Sequence, residues 1–291
     1  MPELPEVETI RSGLSNLIVG KTVKAVAFDW PKSFPNSPME VDKFLVNATV
    51  LSVQRRGKAL LLALNSGYSL VIHLKMTGQL VYRDKIQKFG AGHPTGSLIG
   101  ELPDKSTRVT LEFKDNAKLF FNDQRKFGWV RLMPTVEVMN LNFFKKIGPE
   151  PLEPAFTWGA LKTQLQRRPN TSIKAALLDQ SVVAGIGNIY ADESLWGAKL
   201  HPAAMVKTLT DKNIRLLYKS IIDVLSLSIA LGGSTDRNYV DAEGKKGNYL
   251  KFANVFRRDN LPCPRCGTTI IKLRVAGRGT HICPKEQRLK L

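Results

Sequence analysis

Pro2 and the two carboxylates that follow it, Glu3 and Glu6, are the residues of this 291-residue chain whose types and spacing point most directly to chemistry. Once Met1 is removed, the chain begins with a free secondary amine. An α-amino group titrates near ~7.7–8.0, far below a lysine, so a good part of it is neutral and nucleophilic at cellular pH. A secondary amine that attacks a sugar or carbonyl carbon gives an iminium with no N–H proton to lose. It persists as an electron sink and acidifies the neighbouring C–H bonds. The same octapeptide also reads as a helix start, with Pro5 in the first turn and Glu6 and Glu8 complementing the helix dipole. That second reading leaves Pro2 unexplained.

All three cysteines lie near the C-terminus, in Cys263-Pro-Arg-Cys266-Gly and, beyond a hairpin-length segment, Cys283-Pro-Lys-Glu286. The spacing is that of a zinc ribbon with glutamate in the fourth position. Glu286 holds that register, and carboxylate is an acceptable zinc ligand. His281 is its rival, because residues two apart on a strand face the same way. Water, or no metal at all, are the remaining alternatives. Between the two turns, Arg278 is flanked by glycines at a predicted hairpin tip, placed to offer its guanidinium to a phosphate or groove.

These groups need elements to hold them. Helical spacing runs from Leu4 to Leu17, with Gly20 as a stop. Short β-type runs follow: Ala48–Val53, Ala59–Leu64, Tyr68–Leu74, Arg108–Phe113 and Lys118–Phe121, separated by turn signals such as Asn65-Ser66-Gly67. They predict a sandwich or barrel-like β domain fronted by the helix. The Arg83–Lys105 segment loses periodicity and reads as a long loop. Pro134–Pro154, with Gly148-Pro149-Glu150-Pro151, reads as a linker. Helices are predicted over Trp158–Arg167, Ile173–Leu178, Asn188–Gly197 and Lys212–Ala230, the last ended by Gly232-Gly233. The whole is an α+β multidomain chain.

Lysine and arginine outnumber acids 43 to 25, a formal charge of +18 that favours a polyanionic partner, nucleic acid ahead of an anionic membrane. No apolar run reaches the ~18 residues of a spanning helix, and no signal pattern opens the chain, so it reads as cytoplasmic.

Taken in order, the segments Pro2-Glu-Leu-Pro-Glu-Val-Glu, Gln54-Arg-Arg-Gly-Lys58, His73-Leu-Lys-Met76-Thr-Gly, Asp123-Gln-Arg125-Lys-Phe127-Gly, Gly185-Ile-Gly-Asn188, Gly232-Gly-Ser-Thr and the cysteine module resemble bacterial formamidopyrimidine-DNA glycosylase. Leu4 favours this purine-directed branch over the sibling endonuclease VIII branch, which prefers oxidised pyrimidines. A non-catalytic damaged-DNA-binding protein is the other alternative, against which the Pro2–Glu3 pair argues.

The resemblance implies a monomeric, nucleoid-associated base-excision enzyme that removes oxidised purines from duplex DNA and cleaves the strand by β- and δ-elimination. Pro2 would attack the sugar C1′, Glu3 would act as acid and base, Glu6 would hold the amine, and Lys58 would contact phosphate or lesion. Met76, Arg125 and Phe127 would fill the gap left by a flipped base. Arg108, Lys174, Asn188 and Arg278 would contact DNA. Cys263, Cys266 and Cys283, with Glu286 or His281, would bind one Zn2+.

By the same resemblance, residues 1–133 would be a catalytic β-sandwich domain and 134–154 a linker. A helix–two-turn–helix domain would span 155–233, a lesion-recognition loop and connector 234–261, and a zinc-finger module 262–291. Three features depart from the family pattern: Glu286 in a cysteine position, Lys105-Ser-Thr-Arg108 where histidine is usual, and the long Arg83–Lys105 segment.

Overall fold

The computed structural model describes residues 1–93, 96–234 and 247–289. The chain divides into two compact units, Met1–Lys145 with Gly232–Gly247, and Lys146–Leu231 with Asn248–Leu291.

The first unit opens with α1 (Leu4–Ile18), whose first turn holds Pro5 and is closed by a reciprocal capping box between Glu3 and Glu6. Val7, Ile10, Leu14, Leu17 and Ile18 recur at helical spacing and are buried. They enter one core with residues of both sheets. The strands are β1 (Val23–Phe28), β2 (Val50–Arg56), β3 (Ala59–Leu64), β4 (Tyr68–His73), β5 (Gly78–Arg83), β6 (Lys88–Gly92), β7 (Thr107–Phe113), β8 (Lys118–Asp123) and β9 (Trp129–Pro134). A five-stranded sheet runs β1-β7-β8-β5-β6 and a four-stranded sheet runs β2-β3-β4-β9, with all the pairs antiparallel. Two short helices, α2 (Pro38–Phe44) and α3 (Asn142–Lys145), complete the unit.

The Arg83–Lys105 segment is not structureless as expected: β6 pairs with β5 from Gln79↔Gly92 to Arg83↔Lys88. Gly90 and Gly92 mask its alternation, but Phe89 and Ala91 are buried. Gly92, at φ +122, turns so tightly that a Cβ there would lie 2.3 Å from Gly78 O.

In the second unit, α4 (Trp158–Gln166), α5 (Ile173–Leu178), α6 (Asn188–Gly197) and α7 (Asp211–Ala230) surround a core that includes Leu161, Leu177, Tyr190, Leu195 and Leu217. Thr157, Ser172 and Thr210 cap the first, second and fourth of these helices through their side chains. A short helix, α8 (Tyr249–Phe252), leads to the cysteine module, whose strands β10 (Ile271–Val275) and β11 (Arg278–Ile282) form a hairpin. Buried Glu193 on α6 accepts from the amides of Asn254, Val255 and Phe256 at 2.8 Å each. Among the described residues no helix is long and apolar enough to cross a membrane.

Candidate active site and cysteine centre

At the start of α1, Pro2 and Glu3 are buried, Glu3 to 4% exposure. The Glu6 carboxylate accepts the Glu3 amide at 2.8 Å through one oxygen. Through the other it accepts the Ser234 amide at 2.7 Å and the Ser234 hydroxyl at 2.8 Å. Gly233 allows this approach: its φ is +86, and a Cβ would meet that same carboxylate oxygen at 3.1 Å. Of the expected lesion-recognition loop, residues 235–246 lie outside the described residues.

Lys58 follows Gly57, the left-handed residue (φ +57) of the turn between β2 and β3. Arg55 fixes that turn, donating to Gly57 O at 3.0 Å and pairing with Glu8 of α1 at 2.9 Å. Lys58 is 6% exposed. On β4, His73 is held well below the ordinary imidazole range, at about 3, first by burial and then by the charges of Lys75 and Lys58. Its Nδ1 accepts the Lys75 amide at 3.0 Å, as a neutral ring can. His93, after β6, is lowered first by burial and next by the N-terminal ammonium, with the Asp123 carboxylate opposing. Neither histidine stood out in the sequence beyond the motif containing His73.

Met76 stands on a tight turn in which Lys75 has φ +51 and Leu74 O accepts the Gly78 amide at 2.9 Å. Its exposure is 39% and that of Phe127 is 54%. Arg125 and Phe127 do not share a strand face, because β8 ends at Asp123 and Lys126 takes φ +58. Instead the Arg125 guanidinium lies over the Phe127 ring, 4.7 Å from its centroid.

Asp123, fully buried, organises both tips. Its carboxylate accepts from the Thr77 hydroxyl, from the Arg125 amide at 3.2 Å and from the Gly128 amide at 2.6 Å. Arg108 is 6% exposed, and its guanidinium donates to Asp29 at 3.2 Å, to Asp123 O at 3.2 Å and to Lys105 O. That differs from the phosphate contact expected of it: the cation is turned inward onto partners of its own chain.

Lys174 on α5 differs in the same way. It is fully buried, with Nζ 2.6 Å from Asp192, 2.7 Å from Thr280 Oγ1 and 3.2 Å from Gly279 O. Asn188, the first residue of α6, donates to the same Gly279 O at 3.0 Å. Arg278 is exposed, beside a tight turn in which Ala276 and Gly277 both have positive φ. Lys174 and Asn188 thus position the hairpin strand, while Arg278 presents its guanidinium to solvent.

The Sγ atoms of Cys263, Cys266 and Cys283 lie within 4.8 Å of one another, with Cys266 and Cys283 3.4 Å apart. Hydrogen bonds from Thr268 lower the Cys266 thiol to about 7, and burial pushes Cys283 up to about 11. Thiols gathered this closely fit zinc, whose bonds to sulfur are about 2.3 Å long. Glu286 points to cations, 2.9 Å from Lys199 Nζ and 3.3 Å from Arg265 Nη1, and Lys199 first, then Arg265, holds its carboxyl below the usual range. His281 has Nδ1 3.2 Å from Asp192 and Nε2 3.3 Å from Asp259.

Residues 1–130 match the family model "Formamidopyrimidine-DNA glycosylase N-terminal domain". Residues 147–239 match "Formamidopyrimidine-DNA glycosylase H2TH domain", and residues 260–285 match "Zinc finger found in FPG and IleRS". The chain is 40% identical over 291 residues to the formamidopyrimidine-DNA glycosylase of Pelotomaculum thermopropionicum, covering 100% of both proteins. It is 42% identical over 293 residues to that of Desulforamulus reducens, again covering 100% of both. Among solved structures, a Lactococcus lactis FPG mutant in complex with Fapy-dG-containing DNA superposes with a TM-score of 0.87 at 36% identity, over 99% of this chain and 100% of that one. The Lactococcus lactis Fpg complex with DNA containing an abasic site gives 0.86 at 36% identity, over the same shares.

Proposed function

Since the chain belongs to the formamidopyrimidine-DNA glycosylase family, we propose that it excises oxidised purines, 8-oxoguanine and formamidopyrimidines, from duplex DNA and then cleaves the strand. The observation that carries this reading is the first turn of α1. Pro2 and Glu3 are buried there, and the Glu3 amide is held by a Glu6 carboxylate that also holds Ser234.

With Met1 removed, the Pro2 nitrogen attacks C1′ of the flipped nucleotide; the N–C1′ bond forms as the glycosidic bond breaks and the base leaves. Glu3 delivers a proton to the ring oxygen as the C1′–O bond opens, leaving an open-chain iminium. Loss of a C2′ proton expels the 3′ phosphate, and a second elimination expels the 5′ phosphate. Lys58 contacts lesion or phosphate. Met76, Arg125 and Phe127 fill the space left in the stack, offsetting part of the few kcal/mol that extrusion costs. Asn188 and Arg278 hold the backbone, with Arg108 and Lys174 acting through the segments they anchor. The excess of positive charge implies that affinity falls steeply between ~50 and ~200 mM salt. As in the sequence reading, residues 1–133 are the catalytic part, 155–233 the DNA-gripping helices and 262–291 the zinc module. The enzyme works in the cytoplasm, where its DNA lies.

The three gathered thiols support a zinc ion whose part is structural, bracing the Arg278 hairpin. Of the two candidates for its fourth ligand, His281 has both ring nitrogens on carboxylates and Glu286 has two cations.

Borohydride trapping tests the mechanism. A covalent complex is expected with duplexes carrying 8-oxoguanine or an abasic site, and none from protein whose N-terminus is blocked by an added residue. Undiminished trapping by the blocked protein would overturn amine catalysis.

A further inference from the structure

Position 286 is where the second turn of the cysteine module would present its last ligand, and glutamate differs from cysteine there in reach. A cysteine Sγ is one bond beyond Cβ, whereas a glutamate carboxylate oxygen is three. The backbone of this turn is held by Gln287, which is fully buried. Its amide donates to Cys283 O at 2.9 Å, its Oε1 accepts the Cys283 amide at 3.0 Å, and its Nε2 donates to Leu200 O at 2.9 Å. From that fixed backbone the Glu286 side chain extends to Lys199 and Arg265.

Arg265 belongs to the opposite turn, between Cys263 and Cys266. Its guanidinium lies over Trp196, 3.9 Å from the ring centroid, and donates to Trp196 O at 3.1 Å. The indole Nε1 in turn donates to Cys263 Sγ at 3.4 Å. A polar path therefore runs from one turn to the other, Glu286 to Arg265 to Trp196 to Cys263. It joins the two halves of the module where a fourth metal bond would otherwise join them.

We infer that Glu286 is an electrostatic clasp and not a metal ligand, and that the three thiolates hold zinc with a fourth position open to water and exchangeable monodentate donors. The inference rests on the zinc reading proposed above. Three thiolates leave the zinc with a net charge of minus one. A ligating carboxylate would take that to minus two, and no carboxylate oxygen of Glu286 stands among the gathered thiols. His281 is withheld by its two carboxylate partners. Zinc sites closed by four protein ligands are inert scaffolds, whereas those with three keep a position for an outside molecule. This module accordingly exchanges its metal and accepts an external donor more readily than a four-cysteine one.

Cobalt substitution in the full-length protein is the test, read by the sulfur-to-metal charge-transfer and visible d–d bands. The expected result is that Glu286→Gln and His281→Asn leave the bands in place, Cys283→Ser changes them, and imidazole added to the unmutated protein shifts them saturably. A chelator should strip zinc about tenfold faster from both Glu286→Gln and Arg265→Gln, the usual scale for outer contacts of a metal site. The double variant should be no worse than either single one, because both break the same link. A band shift in Glu286→Gln or His281→Asn would overturn the inference, as would indifference to imidazole or additive chelator effects. Failure of the folded protein to take up either metal would instead remove the zinc reading beneath it.

Discussion

The Thr77 hydroxyl donates to the Asp123 carboxylate, and both oxygen atoms accept the same Arg125 amide, at 3.1 Å and 3.2 Å. One buried carboxylate thereby sets the tip that carries Met76 and the tip that carries Arg125 and Phe127. Asp123→Ala should lower stability by about 3 kcal/mol or more, since it leaves several buried donors without their charged acceptor. Denaturant unfolding measures that. Because an abasic site has no base to unstack, excision of 8-oxoguanine should fall further than cleavage at an abasic site.

Gly128→Ala probes the same turn from the other side. The added Cβ would lie 2.8 Å from the Phe121 ring, 3.1 Å from the Asp123 carboxylate and 3.1 Å from His73 O. Overpacking of this kind costs about 1–3 kcal/mol, to be read as a loss in denaturation midpoint.

His73 predicts a pH dependence. Its folded value is about 3, below the usual 6.5, so between these values the unfolded chain binds a proton that the folded chain refuses. The sign follows: this residue's contribution is intact above pH 6.5 and is lost as pH falls toward 3. From pH 6.5 to 5 the loss is about 2 kcal/mol, at roughly 1.4 kcal/mol per pH unit. Urea titrations at several pH values should show it, and His73→Gln should flatten the slope over that interval.

Lys174 and Asp192, both fully buried and 2.6 Å apart, form a pair whose half cannot be removed cheaply. Lys174→Met should cost about 3–5 kcal/mol by stranding a buried carboxylate. Lys174→Met with Asp192→Asn should recover part of that loss. Thermal unfolding of the two variants gives the comparison.

Much of this was legible in the chain. α5 and α6 fall on the predicted residues, α5 behind its Ser172 cap and α6 directly after Gly187, and β3 matches its run of apolar residues. The strand β6 was hidden because Gly90 and Gly92 carry no side chain to mark a face, leaving Phe89 as its one large buried residue. The inward turn of Lys174 and Arg108 was hidden for another reason. A cation's letter does not say whether its anion is a phosphate outside or a carboxylate within. Asp192 and Glu193, two adjacent acids on an otherwise apolar stretch of α6, were the available hint. Asp123 lay inside a motif noted for its neighbours, and its hub role depends on Thr77, Arg125 and Gly128 converging in space.

The bond between Glu6 and Ser234 joins residues separated by 228 positions. During synthesis that bond is out of reach until most of the polypeptide has left the ribosome, while the first turn has long since emerged. The N-terminal residues therefore pass through an interval in which nothing downstream yet covers them. On the amine mechanism proposed above, a processing peptidase would meet an open end in that interval, before the folded protein buries Pro2. Timing of translation, as much as geometry, would then be part of how the proposed nucleophile is made.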